Sequence, residues 1–163
     1  MLKTSILLGL FLLAVAFVAC KKEPPYDAEK ELDIDDAIIA KYLLDSAVTA
    51  TKDSSGLYYK IISPGTGNEI TNTDTVYGNY TLKILKDTVL LAKSVDSTFK
   101  FMLPGYIKGW QIGVGLIRPG GSIRMIIPSA LGYQNRAVTS PIIPPNSILD
   151  ITLSIVSINK KPK

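Results

Sequence analysis

The chain has no histidine, and its 163 residues include one cysteine and one tryptophan. Without histidine there is no Ser-His-Asp or Cys-His catalysis, no His-ligated zinc and no imidazole general base. The lone thiol, Cys20, excludes an intramolecular disulfide. Long apolar runs are also scarce. The most extended, Ile6 to Val18, falls short of the roughly 20 residues that a membrane-spanning helix needs. Gly113-Val114-Gly115 follows no strand of a βαβ unit, so nucleotide binding finds no support. There are no internal repeats. Few enzyme classes remain open, and neither a metal nor a cofactor is expected.

The amino terminus is the first informative stretch. Met1-Leu2-Lys3 supplies a positive start, Ile6 to Val18 an apolar run, and Val18-Ala19 small residues before cysteine, which is the order of a secretory signal. Phe17-Val18-Ala19-Cys20 resembles a bacterial lipoprotein lipobox, with Phe17 where Leu is usual. That resemblance implies a signal peptide over 1–19, lipid on Cys20, and stable membrane anchoring through two or more acyl chains. Lysine rather than aspartate follows Cys20, which points to the outer membrane, facing the periplasm. Lys22-Glu23 resembles the charged surface-export signals of some Bacteroidetes lipoproteins, so surface exposure stays open.

Charge divides the remainder. Residues 21–55 hold five Lys and nine Asp or Glu, a net −4, whereas residues 56–163 hold twelve Lys or Arg and five acids, a net +7. The basic residues are scattered singly, without the clustered stripe that nucleic-acid binding favours. They are expected to form a solvated surface, and no nucleic-acid partner is expected.

Residues 20–31 are charged, carry Pro24-Pro25 and read as a lipidated tether. Residues 32–55 read as a helix and linker. Asp33, Asp35 and Asp36 stand where negative charge favours a helix start, and Ile34, Ala37, Ile38, Tyr42, Leu43 and Leu44 form an apolar face over Asp33 to Ala50. Such a helix packs on the domain, acts as a spacer or meets a partner. From Gly56 the period becomes two. Strands are expected at Leu57 to Ile62, Thr75 to Leu85, Val89 to Leu91, Ser97 to Leu103, Ile123 to Ile127 and Leu149 to Ile155, with a short helix over Ile107 to Leu116. The economical solution is α+β: an antiparallel sheet of five to six strands wrapped around one short helix, with an extra N-terminal helix.

Several segments together resemble FKBP-type peptidyl-prolyl isomerases. They are Gly56 to Gly67, Phe99-Lys100-Phe101-Met102-Leu103, Ile107-Lys108-Gly109-Trp110, Ile127-Pro128 with Leu131-Gly132-Tyr133, and Ile142-Ile143-Pro144-Pro145, in the family's order and near its spacing. The resemblance covers roughly residues 56–158 and implies an isomerase domain over 56–160. It places Trp110 at the floor of a proline pocket, Tyr80 and Phe99 in its walls, Ile107 as the backbone N–H donor to ligand, and Tyr133 as a rim hydroxyl. Ile143 would flank the mouth, and Leu91, Tyr106 and Ile151 would complete the substrate-binding set. The bland alternative for each aromatic is ordinary core packing. Implied partners are proline-containing protein segments, macrolide ligands of the family and, through Cys20, the membrane.

Three departures stand out. Leu91-Ala92 occupies the place of the family's usual Phe-Asp, although a shifted reading would offer Asp96 from Val95-Asp96-Ser97. Ile151 replaces a pocket aromatic, and Tyr106 a smaller aliphatic residue. The expectation is an envelope-anchored peptidyl-prolyl isomerase of weakened activity; the alternative is a non-catalytic binding module or chaperone subunit of the same fold.

Overall fold

The computed structural model describes residues 25–159, so the signal-like segment, Cys20 and the first tether residues lie outside the described part. In chain order come α1 (Ala28–Asp45), β1 (Thr51–Lys52), β2 (Tyr58–Ser63), β3 (Thr75–Ile84), β4 (Ala92–Phe101), α2 (Lys108–Gly115), β5 (Ser122–Ile127), β6 (Val138–Thr139), β7 (Ile142–Ile143) and β8 (Leu149–Asn159). Single turns of 3-10 helix sit at Leu103–Gly105 and Ser129–Leu131. Among the described residues no helix is long and apolar enough to cross a membrane.

Six strands form one sheet in the order β1-β2-β5-β8-β3-β4, with every neighbouring pair antiparallel. The period-two apolar positions face one side. Val76 and Leu82 of β3, Ile123, Met125 and Ile127 of β5, and Leu149, Ile151, Leu153 and Ile155 of β8 join Trp110, Val114 and Ile117 in the main core. An eight-residue helix is unstable alone in water, so α2 exists because this face covers it. Two glycines permit the approach. A methyl on Gly109 would collide with Ile127 Cγ2 and lie 3.1 Å from Cγ1, and one on Gly113 would collide with Met125 Sδ.

The opposite face of the sheet is closed by α1. Ile39 packs with Tyr58, Leu85, Ile126 and Ile148, and Tyr42 and Leu43 border this second cluster. Here the sequence expectation needs correcting. The helix begins at Ala28 rather than Asp33, because the Asp27 side chain caps it by accepting from Lys30 N at 3.1 Å. It ends at Asp45 rather than Ala50. Ile34 and Ile38 are exposed, whereas Asp35 and Ile39 are buried. The acids at 35 and 36 are therefore mid-helix docking groups instead of helix-start charges. Asp35 Oδ2 accepts from Ser129 N at 2.6 Å, and Asp36 Oδ1 accepts from the Tyr58 hydroxyl at 2.6 Å and pairs with Lys52. Further along, Arg124 donates to both carboxylate oxygens of buried Asp150 at 2.9 and 2.8 Å and to the Tyr42 hydroxyl at 3.0 Å. A bidentate pair of this kind fixes direction as well as distance, and it lies under the helix.

The expected third strand, Val89 to Leu91, is loop, and the fourth starts earlier than expected, at Ala92. Val89 and Leu90 are exposed in a turn, and β4 runs unbroken from Ala92 to Phe101. Its register against β3 jumps between Gly78↔Phe99 and Tyr80↔Ser94. β4 has extra residues there, a bulge that sharpens the local twist, and Phe99 and Tyr80 stand side by side.

Candidate functional site

A cavity of about 140 Å³ opens between the inner face of the sheet and the start of α2. Its lining is Tyr80, Leu82, Ala92, Phe99, Tyr106, Ile107, Trp110, Tyr133, Pro141, Leu149 and Ile151. An apolar cavity of about 150 Å³ holds a benzene molecule, so this one accepts a single small ring. Wider grooves adjoin it on two sides. One shares Tyr106, Ile107 and Tyr133 and includes Lys108 and Arg136; the other shares Tyr80 and Phe99 and includes Lys93 and Asp96. A chain crossing the cavity would therefore have room on both flanks of the buried ring.

Trp110 is held rigidly in this frame, 4% exposed, one residue beyond the glycine that lets α2 touch β5. Its ring stacks on Tyr106 at 5.3 Å and 28°, and it meets Tyr80 and Phe99 edge-on at 5.8 and 6.1 Å. Tyr80 and Phe99 themselves lie 4.5 Å apart. Edge-to-face and offset-stacked arrangements satisfy the ring quadrupoles, so the walls keep their shape without filling the space between them. The indole N–H of Trp110 is buried without a hydrogen-bond partner. Tyr106 is fixed through its backbone, whose N–H donates to Leu103 O at 3.0 Å and whose carbonyl accepts from Gln111 Nε2 at 2.7 Å.

Electrostatically the cavity is neutral. The Tyr106 phenol is held above its ordinary range, first by burial and then by the neighbouring Tyr80 and Tyr133 phenols. The Tyr106 hydroxyl therefore presents a dipole but no charge near neutral pH. No charged residue is part of the lining. Its polar side-chain groups are the three tyrosine hydroxyls and the Trp110 indole N–H; no carboxylate, lysine, arginine or histidine is part of the lining.

Of the residues singled out from the sequence, the structure brings Tyr80, Phe99, Ile107, Trp110, Tyr133, Tyr106 and Ile151 into this lining. Leu91 and Ile143 stand elsewhere. Leu91 precedes β4, donates its N–H to Leu82 O at 2.8 Å and packs on the edge of the core. Ile143 is 1% exposed within the main core, while Ile142, its neighbour in β7, is 75% exposed. Successive strand residues point to opposite sides, and the inward one here is Ile143. The register Leu82↔Ala92 places Ala92 in the wall, and Asp96 lies in the adjoining groove outside the lining.

Leu82, Leu149 and Pro141 also line the cavity and had not been singled out. Two of them were detectable, since Leu82 is two residues from Tyr80 and Leu149 two from Ile151 along their strands. Pro141 carries no periodic signal, because the loop that delivers it has none.

The class is thus an antiparallel sheet wrapped over one helix, with a ring-sized aromatic cavity between them. A family model for FKBP-type peptidyl-prolyl cis-trans isomerases matches residues 67–156. The chain belongs to that family. A probable FKBP-type peptidyl-prolyl cis-trans isomerase of Haemophilus influenzae is 39% identical over 109 residues, which are 66% of this chain and 44% of that protein. The outer membrane protein MIP of Legionella longbeachae is 35% identical over 112 residues, 65% of this chain and 46% of that protein. The crystal structure of FkpA from Escherichia coli matches with a TM-score of 0.65 at 29% identity, covering 83% of this chain and 64% of that one. The chain thus spans less than half the length of these curated relatives. Strand β2 and helix α1 precede the matched residues, yet both pack on the same sheet.

Proposed function

We propose that the domain catalyses cis-trans isomerisation of Xaa-Pro peptide bonds in proteins of the cell envelope. The observation that carries this reading is the neutral aromatic cavity, sized for one ring, in a domain of this family. Rotation about an amide C–N bond meets a barrier of about 18–20 kcal/mol caused by resonance. Lowering it needs neither a nucleophile nor a proton relay, so a chain without histidine is suited to the task. The proline ring rests on Trp110 beside the contacting Tyr80–Phe99 pair, and the apolar walls favour the twisted, less conjugated amide over the polar planar one. Binding that strengthens in the transition state is what accelerates the step. Ile107 occupies the N-cap of α2, where first-turn N–H groups have no intrahelical partner, and its N–H meets the substrate carbonyl. Tyr133 offers a rim hydroxyl. Macrolides of the kind the family binds compete for the same cavity.

The isomerase domain spans residues 56–160, preceded by a helix and linker to residue 55 and a tether from Cys20. Lipid on Cys20, after removal of residues 1–19, anchors it to the outer membrane on the periplasmic side. The lipobox-like Phe17 to Cys20 supports this, as does likeness to a relative named an outer membrane protein.

A protease-free proline-isomerisation assay on residues 21–163 tests the activity. The wild-type protein should accelerate exchange, and a Trp110→Ala, Tyr133→Phe double variant should not; equal rates would sink the proposal. One observation favours a second reading, a non-catalytic binding module: the wall carries Ala92 where the family usually has an acid. Ala92→Asp separates the two. A large gain in activity from that change, without harm to growth, would mark binding as the native role, whereas high wild-type activity removes the motive for the second reading.

A further inference from the structure

The added helix α1 closes the back of the sheet, yet one of its side chains reaches the segment that carries the rim tyrosine. Asp35 is 2% exposed, and its Oδ2 accepts the backbone N–H of Ser129, 94 residues away, at 2.6 Å. Ser129 is fully buried. Its carbonyl in turn accepts from Gly132 N and Gln134 N, both at 2.9 Å. Those two residues flank Tyr133. The carbonyl of Gln134 accepts from Asn146 N at 2.8 Å, closing the far end of the loop. The start of α1 also faces this loop, since Tyr26, Asp27, Lys30 and Glu31 share a surface cleft with Asn135 and Asn146.

We propose that Asp35 is a positioning residue for the isomerase site, fixing through Ser129 the backbone that presents Tyr133 to the cavity. Rigidity comes from below. Ile39 is fully buried against Tyr58, Ile126 and Ile148, one turn along from Asp35, so the carboxylate is fixed relative to the sheet. The N–H of Ser129 opens a 3-10 turn and has no partner within that turn. Asp35 supplies one, and the turn's carbonyl then carries the constraint to both neighbours of Tyr133. The added helix thus acts as a brace for the rim of the site on the other side of the sheet.

The inference rests on the isomerase reading, and its test uses the full chain in mild detergent with two readouts. In the isomerisation assay, Asp35→Ala should lower kcat/KM about fivefold to tenfold, while Asp35→Asn, which keeps an acceptor oxygen, should stay within about twofold of wild type. Ile39→Val, which loosens the same helix without touching Ser129, should also stay within twofold at a temperature where every variant is folded. In a Tyr133→Phe background, Asp35→Ala should add no further loss. Non-additivity of that kind reports coupling between the two positions. Equal losses in both backgrounds, or a loss in Ile39→Val as large as in Asp35→Ala, would overturn the proposal. The second readout is the NMR signal of the Tyr133 ring without peptide, assigned by Tyr133→Phe. It should broaden or split in Asp35→Ala and be unchanged in Asp35→Asn. An unchanged ring signal in Asp35→Ala refutes the brace even in a chain that isomerises nothing, and a perturbed one upholds it even if the isomerase reading fails. Asp35→Ser, too short to reach Ser129, takes the place of Asp35→Ala if that variant does not fold.

Discussion

Gly109→Ala puts a methyl group where helix α2 touches the sheet. The new Cβ would collide with Ile127 Cγ2 and lie 3.1 and 3.2 Å from Cγ1 and Cδ1, all on a residue with no exposure. Relief requires an off-rotamer Ile127 or a lifted helix, and overpacking of this kind costs about 1–3 kcal/mol. Against it stands the helix propensity of alanine over glycine, worth about 1 kcal/mol. The net expectation is a loss of about 0–2 kcal/mol, read as a lower urea midpoint at unchanged slope. Activity should fall further than stability suggests, by about tenfold at full folding, because the displaced residue adjoins Trp110 and misplaced binding groups are costly. Gly113→Ala should be milder. Its methyl meets Met125, whose unbranched thioether can move aside. In an Ile127→Ala background the collision disappears, and Gly109→Ala should become stabilising by about the propensity difference. If Gly109→Ala stabilises the wild-type protein, the close approach of α2 to β5 is refuted.

The two adjacent carboxylates of α1 should answer pH in opposite directions. The Asp36 carboxyl is held below its ordinary value by Lys52 first and then by the Tyr58 hydroxyl, so its contribution is present above the unfolded value near about 4 and is lost as pH falls through the lower folded value. Burial raises Asp35 despite its bonds to Ser129. Its contribution is full below the unfolded value and is lost as pH rises through the raised folded one. Asp35→Asn should therefore match or exceed wild-type stability at pH 7 and lose that advantage in acid, as measured by denaturation at pH 7 and 3. The Tyr58 hydroxyl is pushed up to about 12, first by burial and then by Asp36. Stability from it should persist below about pH 10 and disappear as pH rises through 12, and Tyr58→Phe should remove that alkaline step. Arg124→Met strips buried Asp150 of its bidentate partner, leaving Lys83 at 3.5 Å. An orphaned buried charge costs about 3–5 kcal/mol. The partly exposed Arg124 side chain and the remaining lysine place the expected loss at the low end, about 3 kcal/mol by urea denaturation. No measurable loss would mean that water reaches Asp150.

The inner face of the sheet was legible before any coordinates. Alternation placed Val76, Tyr80 and Leu82 together, then Ile123, Met125 and Ile127, then Leu149, Ile151 and Leu153, because a period of two is a property of the backbone itself. The glycine-punctuated segment from Ile107 to Leu116 likewise announced a short helix. Resemblance then assembled seven of the cavity residues, since a family carries its pocket in scattered but ordered motifs. Where two readings of one stretch were locally equivalent, as with Leu91-Ala92 and Asp96, the residues left both open.

What the chain alone determined was therefore the period of each segment, the neutral chemistry available to a protein without histidine, and the family. What only the tertiary structure decided was which partner each side chain found. Asp33, Asp35 and Asp36 look alike as helix-start charges, yet Asp35 is buried against a backbone N–H 94 residues away and Asp36 is bound to Tyr58 and Lys52. Ile142 and Ile143 are chemically identical, and the pairing of β6 with β7 alone turns one outward and the other into the core. The bulge that joins Phe99 to Tyr80 comes from a register set by two strands at once. Local propensity is written in consecutive residues, whereas contact between distant ones depends on how the whole sheet closes over α2.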